Sequence, residues 1–303
     1  MINFKQILKK PGIIIVSLNS HGLLKWLDDK TIIESLYKVK FGKKLNLENP
    51  VTYNEKLQWI KLYDRNPQYT VLVDKYGVRE YIKEKIGEKY LIPLIGVWEK
   101  PEDIDMEKMP EKFVLKCTHD SGGIRICKDK NTFDFEEAKA FLNHRLKKSG
   151  YTSGREWPYK DVPRRIIAEK YMEDNETREL RDYKFFTFDG EVKALFVARD
   201  RQTPGEEVKF DYFDENYNVL PIKQDHQNSK EIPAKPHRFD DMKALAEKLG
   251  KGIPHVRVDF YEVNGEIYFG EMTFFHHSGF EPFYPDEWDN IFGSWLKLPE
   301  KRV

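Results

Sequence analysis

The chain has 303 residues, enough for one large domain or two to three small ones built around real cores without a disulfide or metal staple. Its 51 lysines and arginines balance 51 aspartates and glutamates, which leaves no overall basic field and excludes nucleic acid as the main partner. A 34% charged and 14% aromatic composition describes a soluble globular protein, and two cysteines, Cys117 and Cys127, exclude a secreted disulfide scaffold and point to a reducing, cytoplasmic compartment.

In chain order, Ile13 to Leu18 follows Lys9 and Lys10 as a signal sequence would. The run is far shorter than the roughly 18 to 20 apolar residues that span a bilayer, and no small-residue cleavage site follows it. It reads as a buried segment, while a membrane-surface face over residues 1–27 (Phe4, Ile7, Leu8, Leu23, Leu24, Trp26, Leu27) stays open. Thr52-Tyr53-Asn54-Glu55 is a capping box that starts a helix over 52–63, and 74–86 reads as a second helix. Leu91 to Trp98 reads as extended and interrupted by Pro93. The spacing then predicts strand 113–117, a glycine turn and strand 124–127, a hairpin across which a Cys117 to Cys127 bridge is conceivable although inert thiols are the expectation. A helix over 134–148 closes on Gly150 as its C′ residue, and a loop over 151–165 holds Trp157, Pro158 and Tyr159. Strands follow over 166–172, 183–188 and 192–199, the last two joined by Asp189-Gly190. A helix over 239–249 ends at Gly250, and a hairpin joins 256–263 to 267–273 through Asn264-Gly265.

The last hairpin carries the densest chemistry. Alternation puts Arg257 and Asp259 on one strand face and Glu271 and Thr273 on one face of its partner, and across the turn these faces can meet. Two carboxylates brought together need a cation between them, and hard oxygen ligands suit Mg²⁺ bridged to phosphate. The alternative is a hairpin with exposed polar positions. Lys116 ahead of Ser121-Gly122-Gly123 is a second element, because glycine turns let backbone N–H groups approach phosphate and the lysine adds a point charge. It matches neither a P-loop nor a dinucleotide fingerprint, and by itself it is weak.

Taken together, the order of these elements resembles the ATP-grasp superfamily from about residue 70 to residue 280. The matching positions are Asp74-Lys75 on an early helix, Lys116 before the glycine loop, a hinge strand Glu169-Lys170-Tyr171-Met172, Asp182 opening a strand with Lys184 and Arg199 after it, and the Arg257/Asp259 and Glu271/Thr273 hairpin. Asn54-Glu55-Lys56-Leu57-Gln58-Trp59, Arg155-Glu156-Trp157-Pro158-Tyr159 and Gly270-Glu271-Met272-Thr273 look like the TupA-like branch, associated with teichuronopeptide and surface-polysaccharide synthesis. The resemblance implies an α/β (α+β) ATP-grasp fold, with nucleotide held between two α+β lobes (111–172 and 173–303) behind an N-terminal helical and α/β part (1–110). It implies ATP bound by Lys75, Lys116, Ser121, Gly122, Gly123, Glu169, Lys170, Tyr171, Met172 and Asp182, and Mg²⁺ on Asp259, Glu271 and Thr273. Where the family usually has Asn as its last metal ligand this chain has Thr273, a shorter oxygen donor, which puts metal affinity in question.

The implied reaction activates a carboxylate as an acyl phosphate and joins it to an amine, with Arg257, Lys184 and Arg199 neutralising charge and Arg257 reaching toward the reacting carbon. The implied substrates are a surface-glycan uronic acid and an amino acid or small amine, with peripheral attachment to membrane-bound glycan machinery. Asp259 and Glu271 should face one cleft, which Lys116 and Lys75 should enter from another lobe. His276 and His277 either act as base for the amine or are satisfied locally, His119 has the same two readings, and Trp157 and Tyr159 either stack on a sugar or pack the loop. A phosphotransferase, a glycosyltransferase and a non-catalytic nucleotide or glycan binder are the rival classes.

Overall fold

Thr52 accepts from the Glu55 backbone N–H while the Glu55 carboxylate accepts from Thr52, so the capping box forms and starts the helix Tyr53–Tyr63. The computed structural model to which that helix belongs describes residues 12–177, 179–200 and 205–302. Two antiparallel sheets follow. The smaller is built from β1 (Leu94–Trp98), β2 (Phe113–Cys117), β3 (Ile124–Cys127) and β4 (Ile166–Lys170) in the order β1-β4-β2-β3. The larger is built from β5 (Asp182–Phe188), β6 (Glu191–Arg199), β7 (Lys209–Asp214), β8 (Val219–Leu220), β9 (Val256–Val263) and β10 (Glu266–Thr273) in the order β10-β9-β5-β6-β7-β8. The polypeptide is α+β, as the family resemblance implies.

Each sheet has its own core. Phe113, Leu115, Ile166 and Ala168 of the small sheet pack with Leu142 of the helix Phe135–Leu146. On the large sheet, Phe185, Val258 and Phe260 pack with Met242, Ala246 and Leu249 of the helix Phe239–Gly250. Tyr53 and Phe292 lie in that same cluster and bring in the helices Tyr53–Tyr63 and Glu287–Trp295. The turns Asp189-Gly190 and Asn264-Gly265 all have positive φ, which joins β5 to β6 and β9 to β10 in two-residue hairpins.

Several expectations are corrected. Asp74 and Lys75 occupy a turn between the helices Gln68–Val73 and Val78–Lys85, because the Asp74 side chain accepts from the Tyr76 N–H and breaks the helical run. Gly150 does not close a helix; it opens the short helix Gly150–Gly154, where an added Cβ would press on the His119 carbonyl. The helices Gly12–Ser20, Asp29–Phe41 and Glu287–Trp295 and the strands β7 and β8 were not expected. Ile14 and Val16 are 40% and 38% exposed, so the segment read as buried is a half-exposed helix. Leu23 and Trp26 are exposed, while Phe4, Ile7 and Leu8 lie outside the described residues. No helix among the described residues is long and apolar enough to cross a membrane. Both cysteines are free and buried; Cys127 sits opposite Phe113, about 13 Å along the strand from Cys117, so a bridge is ruled out.

Candidate active site

Three neighbouring strands, β5, β9 and β10, bring six polar side chains to one face. The register sets Lys184 opposite Asp259, Asp259 opposite Glu271, and Arg257 opposite Thr273. Lys184 therefore faces an opposite charge across β5 and β9, whereas Asp259 and Glu271 are like charges facing each other across β9 and β10 and need a cation between them. Arg257 is the hub. Its Nε and Nη2 donate to the two Asp259 oxygens at 2.8 and 2.7 Å, and Nη2 also reaches Glu271 Oε1 at 3.2 Å and Thr273 Oγ1 at 3.0 Å. Lys184 pairs with Asp182 at 2.6 Å and also with Asp259. The cation that brings Asp259 and Glu271 together is thus the guanidinium of the same hairpin. Burial opposes the charge on Arg257, but Asp259 outweighs it and holds the guanidinium above its ordinary range.

His276 completes the network. A guanidinium N–H only donates, so His276 Nδ1 accepts from Arg257 Nη1 at 2.8 Å, and its Nε2–H donates to Gln224 Oε1 at 2.9 Å. Burial, then the neighbouring His277 and Arg257, keep this imidazole neutral. With its lone pair occupied it holds Arg257 in place, which is the locally satisfied reading of this residue.

On the other side of the hairpin, β2 and β4 present Lys116 and Glu169. Lys116 Nζ lies 2.6 Å from Glu169 Oε2, and Arg79 Nη1 lies 3.1 Å from Glu169 Oε1. The glycine turn between β2 and β3 has Gly122 at φ 91°, and the Gly123 carbonyl accepts from the Cys117 N–H at 2.8 Å. Arg145 pins the turn by pairing with both oxygens of Asp120 and donating to the Ser121 carbonyl at 2.7 Å. Lys75 Nζ crosses to it, donating to the Asp120 carbonyl at 2.9 Å and lying 3.9 Å from Glu271.

Two cavities meet here. The first, about 530 Å³, is lined by Lys75, Lys116, Ser121, Gly122, Glu169, Lys170, Tyr171, Met172, Asp182 and Glu271, with apolar walls from Val114, Ile126 and Phe269. The second, about 930 Å³, is lined by Lys75, Ser121, Lys184, Arg257, Glu271 and Thr273, with His119, Glu156, Tyr159, His276 and His277 also in its wall. Lys75, Ser121 and Glu271 border both. Of the residues singled out in the sequence, Gly123 and Arg199 line neither cavity, and Asp259 lies beneath the surface with no exposure. Phe196 and Ala198 of β6 face the second cavity, so alternation turns Arg199 away toward Glu179 and the Glu231 carbonyl. Trp157 is buried against Tyr69, which makes it a packing residue. Sequence reasoning missed Arg79, Arg145, Glu156 and Gln224 as site residues. Arg79 lies on a helix whose apolar spacing was legible, but nothing local shows that it faces Glu169.

The oxygen set Asp259, Glu271 and Thr273 fits Mg²⁺ in donor type. Its charge is already balanced by Arg257 and Lys184, and among the described residues no group of three or more His, Cys, Asp and Glu side chains is arranged to hold a metal. A divalent ion here therefore needs phosphate oxygens to complete its shell.

An ion-paired hairpin thus faces a lysine and a glycine turn across a cleft. Residues 55–297 match the family described as TupA-like ATPgrasp; the chain belongs to that family and has the ATP-grasp fold. No curated protein matches it. Among solved structures, the D-alanine–D-alanine ligase of Bacillus anthracis, complexed with ATP, is similar at 19% identity over 67% of this chain and 55% of that one, with a TM-score of 0.39. The L-amino acid ligase of Bacillus licheniformis is similar at 12% identity over 84% of this chain and 55% of that one, with a TM-score of 0.43. The ATP-grasp ligase PsnB, complexed with a minimal precursor, Mg and ADP, is similar at 9% identity over 92% of this chain and 74% of that one, with a TM-score of 0.40. The chain thus spans 55% of the length of each of the first two.

Proposed function

We propose that the protein is an ATP-dependent carboxylate-amine ligase that works through an acyl phosphate. The observation that carries this reading is the junction of two cavities at Lys75, Ser121 and Glu271 beside the Arg257 network. The first cavity takes ATP between the lobes formed by residues 111–172 and 173–303, with the purine among Val114, Met172 and Phe269 and the phosphates toward Lys116, Lys75 and the glycine turn. The second takes the carboxylate and the amine. Mg²⁺ held by Asp259, Glu271 and Thr273 would draw charge from the phosphate oxygens.

A carboxylate approaching the γ-phosphate brings anion toward anion; Lys75 at the junction, with Lys184 and Arg257 in the wall of the second cavity, would offset that repulsion. Carboxylate oxygen then bonds to phosphorus as the bond to ADP breaks. Amine nitrogen next attacks the acyl carbon, phosphate departs, and Arg257, fixed by His276 and Asp259, is placed to steady the oxyanion. A uronic acid of a bacterial surface glycan or its precursor is the carboxylate we favour, joined to an amino acid or small amine at the membrane-bound assembly machinery. The support for that choice is the likeness of the Arg155-Glu156-Trp157-Pro158-Tyr159 and Gly270-Glu271-Met272-Thr273 phrases to the TupA-like branch.

A screen of uronic acids against amines, read as ADP release with Mg²⁺ present, tests the function. Release that requires both partners is expected. Release with the carboxylate alone would make the protein a phosphotransferase, and ATP binding without any release would make it a binding protein.

A further inference from the structure

Within Arg155-Glu156-Trp157-Pro158-Tyr159, Arg155 and Trp157 are held in the interior, whereas Glu156 faces the second cavity. Arg155 takes the left-handed conformation at φ 53°, and its buried guanidinium donates to Asn19 Oδ1 and the Leu24 carbonyl. Facing it is a second turn in which His277, Ser278 and Gly279 have φ of 46°, 54° and 61°. Two side chains hold these turns together. Lys61, fully buried, donates to the Gly154 carbonyl at 2.8 Å and the Ser278 carbonyl at 2.6 Å. The Ser278 hydroxyl donates to Glu156 Oε1, and a Cβ at Gly154 would collide with that hydroxyl. Non-glycine residues in left-handed backbone are strained and persist where the surroundings enforce them. Here the enforced geometry aims one carboxylate into the cavity.

The charges around it say what it is for. Seven lysines and arginines line the second cavity against three acids, a lining suited to a carboxylate and a phosphate but hostile to an ammonium. Of the three acids, Asp120 is paired with Arg145 and Glu271 with Arg257. Glu156 makes no ion pair among the described residues, its one hydrogen-bond donor being Ser278. We propose that Glu156 receives the ammonium of the incoming amine and takes the proton it sheds on attack. This rests on the ligase reading. The ammonium loses two protons in becoming an amide N–H. One passes to Glu156 as the nitrogen lone pair becomes free to form the C–N bond, and the other goes to the phosphate, which leaves with the electrons of the broken C–O bond. Glu156 then returns its proton to solvent. Burial raises this carboxyl, with Lys61, Ser278 and Arg257 opposing and Glu271 adding to the rise, and a carboxyl above its usual range is a better proton acceptor near neutrality.

Two measurements on the full chain test this. Ethylammonium, a bare ammonium probe, is titrated in and followed by amide NMR. Saturable shifts at Gly154, Glu156 and Ser278 are expected in the parent and absent in Glu156→Gln, and no shift there in the parent would overturn the site. The substrate pair from the screen is then assayed in both proteins, with hydroxylamine as a neutral trap for the acyl phosphate. Amide formation should fall by about 10²-fold or more in Glu156→Gln while trapped hydroxamate is unchanged. Equal loss of both, or loss of neither, would overturn the role. Glu156→Asp keeps the charge beside Lys61 and should fold while losing amide formation only in part; full amide activity in it alongside an inactive, folded Glu156→Gln also fits proton transfer. Ethylammonium binding without any amide product would sink the ligase reading and leave the ammonium site standing.

Discussion

At the scale of single residues, Arg257 decides more than its neighbours because four partners share one guanidinium. Removing it leaves Asp259 buried with Lys184 as its remaining cation, frees His276 Nδ1, and lets Glu271 and Thr273 drift. Breaking a buried pair from one side costs about 3–5 kcal/mol, so Arg257→Ala is expected to melt earlier as well as turn over slowly. Arg257→Lys separates the two effects. It keeps a positive charge beside Asp259 but cannot fork across Asp259, Glu271 and His276, so melting temperature should recover in part while turnover stays about 10²-fold down. Normal turnover in a folded Arg257→Lys would remove Arg257 from the chemistry. Arg199 makes the opposite case. Read from the sequence as neutralising charge together with Lys184 and Arg257, it points to Glu179 and the Glu231 carbonyl, away from both cavities. Arg199→Ala should keep ADP release within about twofold to threefold of the parent, the range for positions that touch no such feature. A loss as deep as that of Arg257→Lys would show that Arg199 swings into the cleft.

At the scale of elements, the glycine turn is the piece whose freedom is restrained from outside by side chains. Arg145, on the helix Phe135–Leu146, clasps Asp120 and the Ser121 carbonyl, and Lys75 adds a bond to the Asp120 carbonyl. Arg145→Ala should leave the fold intact yet raise amide hydrogen exchange over residues 119–123 and weaken ATP binding by several-fold, because the turn must then be ordered by the nucleotide itself. Unchanged exchange there would show that Gly122 and Gly123 alone set the turn. The turn was legible from Lys116 and the glycines, but its clasp was not, since Arg145 looks like any basic residue near a helix C-terminus. The same contrast runs through the chain. The capping box at Thr52 and the Asn264-Gly265 turn are local signals and were read correctly. The helix Asp29–Phe41 carried equally local marks, Asp28 as N-cap, Gly42 in left-handed conformation after it and Ile32, Ile33, Leu36 and Tyr37 on one face, and went unread. The meeting of Asp259 with Glu271 follows from the Asn264-Gly265 turn, but the contact of Lys184 with Asp259 could not be read, because it depends on β5 lying beside β9, and no pattern within either strand states its neighbour.

At the scale of the whole molecule, buried neutral histidines tie parts of the chain together and make its stability depend on pH. His255 Nε2 accepts from the Tyr53 hydroxyl and its Nδ1–H donates to the Thr187 carbonyl, joining the helix Tyr53–Tyr63 to β5. Burial depresses it to about 3, and burial also lowers His276, while His277 falls to about 4. In the unfolded chain each returns to about 6.5. As pH falls below that value the unfolded chain binds protons that the folded protein refuses, so these groups support the fold above pH 6.5 and withdraw that support as pH falls toward 3 or 4. Buried carboxyls run the other way. Burial raises Asp259, Glu156 and Asp289, and each of these favours the folded state as pH falls, so the bare acid profile mixes both signs. A comparison with His255→Gln isolates one histidine, because the other groups cancel between the two proteins. The parent starts ahead, since glutamine cannot fill the imidazole site and keep both bonds. Its lead should then shrink by about 2 kcal/mol between pH 7 and pH 5, the linkage expected for a group moving from about 6.5 unfolded to about 3 folded. Urea unfolding of both proteins at pH 7, 6 and 5 reads this directly. A lead that stays constant across the series would mean that His255 accepts its proton inside the fold, with the Thr187 carbonyl and Tyr53 hydroxyl carrying the charge.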